Sequence, residues 1–272
     1  MPVTDRYVHG YHGRENDRLR DQAGTLVELL HHDTDYPPGS TVLEVGCGVG
    51  AQTVTLAQRS PGARFTSVDI AADSLAEARR RADSAGLTNV EFRQADVFSL
   101  PFAPESFDHV FVCFVLEHLA QPVEALRGLG ELLRPGGTIT VIEGDHGSAF
   151  FHPDAAAARQ AIQCLVDLQR RGGGNALIGR QVYPLLIEAG FCAVRADPRV
   201  VYVDASHPEL VDGFTRKTFT AMIEGVREAA IDSHLIDAGT FDAGIRALYR
   251  TTEADGVFCY TFFKGIGEKQ PS

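Results

Sequence analysis

The run Glu44-Val45-Gly46-Cys47-Gly48-Val49-Gly50 sets three glycines at alternate positions behind an acid. Glycine is required where the backbone takes positive φ or where a ligand must come close to the main chain. An apolar stretch, Thr41 to Val45, enters the run and a helix-like stretch, Thr53 to Arg59, leaves it. The turn therefore joins a buried strand to a helix and can offer backbone N–H groups to a ligand. With Ala51 in the last place it also satisfies the dinucleotide pattern Gly-x-Gly-x-x-Gly/Ala, so the turn alone does not choose the ligand. Two acids narrow the chemistry. Asp69 closes a second apolar stretch 25 residues after Glu44, where a carboxylate accepts hydrogen bonds from both hydroxyls of a ribose. Asp96 follows a third stretch, 27 residues after Asp69, where it can meet an adenine amino group. A glycine turn and two acids at successive strand ends predict a site for an adenosine-containing cofactor.

A second set of residues suits work on a substrate. His118 follows the fourth apolar stretch, and Glu143, Asp145 and His146 close the fifth. Carboxylates and imidazole are the side chains that take up or release a proton near neutral pH. Their clustering predicts contact with a substrate. No spacing among them matches a metal site, and none is expected.

These residues need a frame that brings strand ends to one edge. Strand-like stretches run Thr41–Val45, Arg64–Ile70, Val90–Arg93, Asp108–Val115 and Thr138–Glu143. Helix-like stretches between them cover Thr53–Arg59, Ser74–Ala85 with Gly86 as cap, and Leu126–Leu133, which Pro135-Gly136-Gly137 closes. Strands that are apolar throughout and alternate with helices predict an α/β fold, a parallel sheet covered on both faces. Upstream, Leu19, Ala23, Leu26, Val27, Leu29 and Leu30 predict an amphipathic helix that Pro37-Pro38-Gly39 stops. Past residue 145 come helices at Pro153–Arg171 and Gly179–Ala189, a strand at Ala193–Val203, a helical insertion from Pro208 to Arg250 and an aromatic strand at Gly256–Lys264. One domain over 1–272 is expected. Residues 1–36 form an arm and helix, 38–145 the cofactor-binding core, 146–190 and 205–250 helical cap insertions, and 191–204 and 256–266 the last strands. Phe150, Phe151, His152, Phe214, Phe219 and Met222 are the apolar and aromatic material expected to wall a pocket from the cap.

Composition bounds the partners. Among 272 residues 44% are apolar and 22% charged, which excludes a disordered or collagenous chain. No apolar run approaches the ~18 residues of a membrane span. Met1 to Arg20 is polar and lacks a signal-peptide core, so a cytoplasmic location is expected. Five scattered cysteines read as reduced thiols. The formal net charge of −11 repels nucleic acid and anionic membranes, leaving a small-molecule substrate. Self-association into a homo-oligomer stays open.

With these residues in place, the sequence resembles the class I S-adenosylmethionine-dependent methyltransferases, in particular the small-molecule group of ubiquinone-biosynthesis type. Glu44 to Gly50 is similar to that family's first motif, Asp69 to its ribose-binding acid and Ala95-Asp96-Val97 to its adenine motif. Ser106-Phe107-Asp108, Leu116-Glu117-His118-Leu119 and Leu132-Leu133-Arg134-Pro135-Gly136-Gly137 match as well. The likeness covers residues 38 to 145 closely. Tyr7 to Tyr11 and Glu143 to His146 resemble a bacterial and archaeal branch that implies no particular substrate. The resemblance implies a Rossmann-like, seven-stranded, mostly parallel sheet with a reversed last strand.

It also implies roles. The backbone at Gly46, Cys47 and Gly48, in the motif that Glu44 begins, would face the methionine part of S-adenosylmethionine. Asp69 would hold the ribose, with Ile70 on the adenine face. Ala95, Asp96 and Val97 would meet the adenine edge, and Phe114 would lie near the sulfonium. Tyr11 and Gln52 would reach the methionyl end, although Tyr11 equally suits packing on the sheet. Methyl transfer is an in-line displacement that needs positioning, and a base only when the acceptor must lose a proton. His118 is the expected base, with Glu143, Asp145 and His146 on the acceptor. The implied activity is methyl transfer to N, O or C of a small molecule, leaving S-adenosylhomocysteine. An NAD(P)-dependent oxidoreductase and a non-catalytic cofactor-binding protein remain alternatives. The former does not call for Ala95-Asp96-Val97 or Arg134-Pro135-Gly136-Gly137. No Asn/Asp-Pro-Pro-aromatic run follows strand four, as nucleic-acid methylation would need.

Overall fold

The computed structural model describes residues 26–271. Its sheet has seven strands in the order β3-β2-β1-β4-β5-β7-β6. They are β1 (Thr41–Val45), β2 (Arg64–Asp69), β3 (Val90–Gln94), β4 (Phe107–Cys113), β5 (Leu133–His152), β6 (Cys192–Val203) and β7 (Val257–Glu268). β1 to β5 pair in parallel. Main-chain bonds from Gly136 to Lys269 and from Lys269 to Gly137 join the start of β5 to the end of β7, which runs antiparallel. The chain moves outward from β1 to β3 and then returns to the other side of β1 with β4. That reversal opens a crevice at the carboxyl ends of β1 and β4, the place where such sheets bind ligands. No helix of the described residues is long and apolar enough to cross a membrane.

Contacts divide the described chain into two compact units. The first comprises residues 27–143, 178–199 and 263–271. Its core is built from Leu43, Val45, Val110 and Val112, with Leu126 and Leu129 of the helix Pro122–Leu132 packed in the same cluster. β1 and β4 are buried on both faces, which is why their sequences are apolar without alternation.

β5 departs from expectation. Instead of beginning at Thr138 it begins at Leu133, and Pro135-Gly136-Gly137 forms a bulge within the strand, not a stop before it. The register against β4 slips between Phe107 and His109. Gly137 permits the approach, since a Cβ there would lie 2.7 Å from the Asp108 carbonyl oxygen. The Asp108 carboxylate accepts from the Thr41 amide and hydroxyl at 2.8 Å and from Arg134 at 2.7 Å. Burial pushes this carboxyl up, but the Thr41 and Arg134 donors outweigh it and hold it at about 2. The Ser106–Asp108 and Arg134–Gly137 motifs therefore clamp β1, β4 and β5 at the edge opposite the crevice.

The second unit comprises residues 144–177 and 200–262. The stretch from Pro208 to Arg250, expected to be helical as a block, breaks into Pro208–Leu210, a π-helical Val211–Thr220, Ala221–Gly225, Arg227–Asp232 and Ala238–Arg250. The Thr218 hydroxyl donates to the carbonyl of Gly213, five residues back, at 2.7 Å. Asp237 caps the last helix by accepting from the Thr240 amide at 2.9 Å. Phe214 and Phe219 pack with Phe258, Tyr260 and Phe262 into an aromatic core. The Thr220 hydroxyl is buried there with no hydrogen-bond partner among the described residues. Thr220→Val keeps the shape and removes the unpaired group, so it is expected to raise unfolding free energy by about 1 kcal/mol in urea denaturation.

Candidate cofactor site at the carboxyl edge of the sheet

The glycine turn is folded over the end of β2, because the amides of Gly46 and Cys47 both donate to the Val68 carbonyl, at 2.8 and 3.0 Å. Gly46, Gly48 and Gly50 all have positive φ. A Cβ on Gly46 would run into the Val115 side chain, so this glycine serves packing. A Cβ on Gly48 would meet nothing within 4 Å among the described residues, so they leave the main chain there uncovered. Asp69 ties the turn to β2: its carboxylate accepts from the Gly48 amide at 2.7 Å and the Ala71 amide at 2.9 Å. The carboxylate has lone-pair capacity beyond these two bonds. Burial raises the Asp69 carboxyl above its ordinary range.

The third loop joins this centre. The Ala95 amide donates to the Asp69 carbonyl at 3.0 Å, and the Gln94 side-chain amide to the Ile70 carbonyl at 2.9 Å. Asp96 turns its own loop by accepting from the Phe98 amide at 2.9 Å, and Val97 beside it is half-buried. Asp69, Ile70, Ala95 and Asp96 are thus brought to one edge. Across the switch point, Phe114 takes φ +58 and its amide donates to the Ile142 carbonyl at 2.9 Å. His118, half-buried, ends a short 3₁₀ helix with Nε2 3.6 Å from Glu117.

Two expected contact residues lie underneath instead. Glu44 is 2% exposed, and its carboxylate accepts from the Thr53 and Ser67 hydroxyls, both at 2.6 Å. It supports the glycine turn from below, joining β1, β2 and the helix Ala51–Arg59, and its side chain does not face a ligand. Glu143 is fully buried and accepts from the Val115 and Leu116 amides at 3.0 and 2.7 Å, which fixes the turn carrying Phe114. Burial, and then the charge of Glu117, push its carboxyl well up.

Burial also raises Glu44 to about 7. The folded state then holds a proton that the unfolded chain releases near 4.5, so unfolding free energy falls as pH rises from 4.5 to 7. The loss from this group is about 3 kcal/mol. Glu44→Gln is expected to flatten that slope in denaturation measured at pH 5, 6 and 7.

Cys47 is buried, so only its main chain belongs to the turn. Gln52, in the first turn of the following helix, bonds His31 Nε2 at 2.5 Å. Tyr11 lies outside the described residues. Glu143 closes the first unit, whereas Asp145 and His146 belong to the second. Asp145 is buried and accepts from the Gly147 amide at 3.0 Å. His146 Nδ1 lies 2.7 Å from the Tyr260 hydroxyl, with the Phe219 ring 6.1 Å away. Phe151, Phe214, Phe219 and Met222 are buried, but Phe150 is 53% exposed and His152 is exposed, so those two do not add to an apolar wall. Both lie at the end of β5, on either side of the buried Phe151.

Sequence reading missed three supporting groups: His31, Ser67 and Lys264. The buried Lys264 ammonium bonds Asp33 and Thr34, both at 2.6 Å, which fastens the segment after His31 to β7. A lone lysine within an aromatic strand was the signal available.

The fold and edge define an α/β protein built to hold an adenosine-containing ligand. A family model described as methyltransferase domain matches residues 37–190, and the chain belongs to that family. It is 32% identical over 235 residues to an uncharacterised protein in a transposon of Streptomyces fradiae, covering 84% of this chain and 66% of that protein. It is 34% identical over 156 residues to the 2-phytyl-1,4-naphtoquinone methyltransferase of Thermosynechococcus vestitus, covering 54% of this chain and 64% of that one. The chain thus spans less than two thirds of the length of these relatives. Among solved structures, a Haemonchus contortus phosphoethanolamine N-methyltransferase bound to S-adenosylhomocysteine matches with a TM-score of 0.62 and 15% identity, over 100% of this chain and 61% of that one, and shares the fold.

Proposed function

We propose that this protein transfers a methyl group from S-adenosylmethionine to a small-molecule acceptor. The observation that carries the reading is Asp69, whose carboxylate anchors both the Gly48 amide and the start of the next helix while keeping lone pairs for a ribose. The main chain left uncovered at Gly48 by the described residues fits the same ligand. An NAD(P) site would use the turn and Asp69 as well, but gives Ala95-Asp96-Val97 no task.

When bound, S-adenosylmethionine supplies an electrophilic methyl on a sulfonium. Gly46, Cys47 and Gly48 receive the methionyl part with main-chain groups. Asp96 accepts from the adenine amino group, flanked by Ala95 and Val97, and Ile70 covers the ring face. Phe114 stands near the sulfonium, held by the strand bond to Ile142 and by Glu143 through the two residues that follow, Val115 and Leu116. Glu143, fully buried and spent on the Val115 and Leu116 amides, has a positioning role, and His118 takes the acceptor's proton where one must leave. Five unpaired cysteines, four of them buried, suit a reducing compartment, and we assign the activity to the cytoplasm.

The test supplies S-adenosylmethionine with a labelled methyl group together with a small-molecule extract. Label should move into a low-molecular-weight product with the wild type and not with Asp69→Ala. Label remaining wholly in the donor would contradict the reading.

A further inference from the structure

His31 is fully buried, its ring 5.8 Å from that of Phe111 on β4, and Nε2 lies 2.5 Å from Gln52 Oε1. Nδ1 has no partner among the described residues. Burial, with Lys264 and Arg59 adding positive charge nearby, lowers the imidazole to about 4 against the bond to Gln52 and the charge of Asp33, so the ring is neutral at pH 7 and carries one proton. Placed on Nδ1, that proton would leave a buried donor unpaired. On Nε2 it donates to Gln52 and leaves only an unpaired acceptor, the more tolerable deficit. The Gln52 carboxamide is then fixed with its oxygen toward the ring. Its NH₂ group, two donors, makes no hydrogen bond to the described residues.

Gln52 sits in the first turn of the helix Ala51–Arg59, which follows the glycine turn directly. Amides at a helix start lack intrahelical acceptors and favour an anion. We propose that His31 is a positioning residue for the carboxylate at the methionyl end of the cofactor, acting through Gln52. The imidazole orients the carboxamide so that its NH₂ joins the helix-start amides as donors to that carboxylate. Lys264 contributes indirectly by fastening Asp33 and Thr34, two and three residues on.

This inference rests on the methyl-donor reading, and the test separates the two. Calorimetry compares S-adenosylhomocysteine with 5′-methylthioadenosine, which has the same nucleoside but no amino-carboxylate end. His31→Phe keeps a ring against Phe111 and removes the donor. It should weaken S-adenosylhomocysteine roughly tenfold and methylthioadenosine by less than about twofold. Gln52→Ala should show the same selective loss, and the double variant should be no worse than either single one, as for two members of a single chain of contacts. If His31→Phe does not fold, His31→Leu takes its place in the same ligand comparison, with the same selective loss expected. Equal losses for both ligands, no loss for either, or additive losses would overturn the role of His31. Failure of the wild type to bind either nucleoside would overturn the methyl-donor reading itself, and the inference with it.

Discussion

Asp69→Ala is expected to weaken S-adenosylhomocysteine binding by tenfold or more, the result of leaving two ribose hydroxyls without a charged acceptor at roughly 1.5–3 kcal/mol. The same carboxylate also holds the Gly48 and Ala71 amides, so part of the loss comes from a loosened turn. Asp69→Asn separates these contributions. Its single carbonyl oxygen can keep one amide bond but offers the ribose a neutral, weaker partner, so its affinity should fall between wild type and Asp69→Ala. Calorimetry with far-ultraviolet circular dichroism as a folding control checks both. Unchanged affinity in a folded Asp69→Ala variant would remove the ribose assignment.

Gly48→Val should dissociate folding from binding. At φ +52 a side chain strains the backbone, costing about 1–2 kcal/mol, but no atom of the described residues lies where its Cβ would go. The variant should therefore fold with a lowered melting temperature and bind S-adenosylhomocysteine too weakly to measure, because the added side chain fills the approach to the main chain. Gly46→Val makes the contrast. Its Cβ would collide with Val115, so it should lose stability far more. A Gly48→Val protein that binds normally would make the turn purely structural.

The parts of the fold that were legible are those fixed by local pattern. β1 lies at Thr41–Val45 as read, because an apolar run ending at a glycine turn leaves little freedom. β5 was misplaced because Pro135-Gly136-Gly137 looks like a stop, and only the pairing with Phe107 and Asp108 turns it into a bulge. The 208–250 insertion was read as helical throughout, whereas five-residue bonding at Thr218 and the Asp237 cap divide it. Spacing along successive strands picks out Asp69 and Asp96, the resemblance adds Ile70 and Ala95, and main-chain bonding holds the two loops together. Glu44 and Glu143 were legible as important residues but not in their task. An acid beside a glycine turn reads the same whether it points at a ligand or down at Thr53 and Ser67, and burial distinguishes the two. His31 could not be connected to Gln52 from spacing, since tertiary packing alone brings them together.

The most direct test of the central claim is a calorimetric titration of the wild-type protein with S-adenosylhomocysteine and, separately, with NAD. On the proposed reading, Asp69 and the glycine turn serve either kind of site, whereas Asp96 and Phe114 serve only the first. The account predicts saturable binding of S-adenosylhomocysteine that Asp69→Ala abolishes or weakens at least tenfold, and no binding of NAD at the same concentrations. Binding of NAD with none of S-adenosylhomocysteine would contradict it.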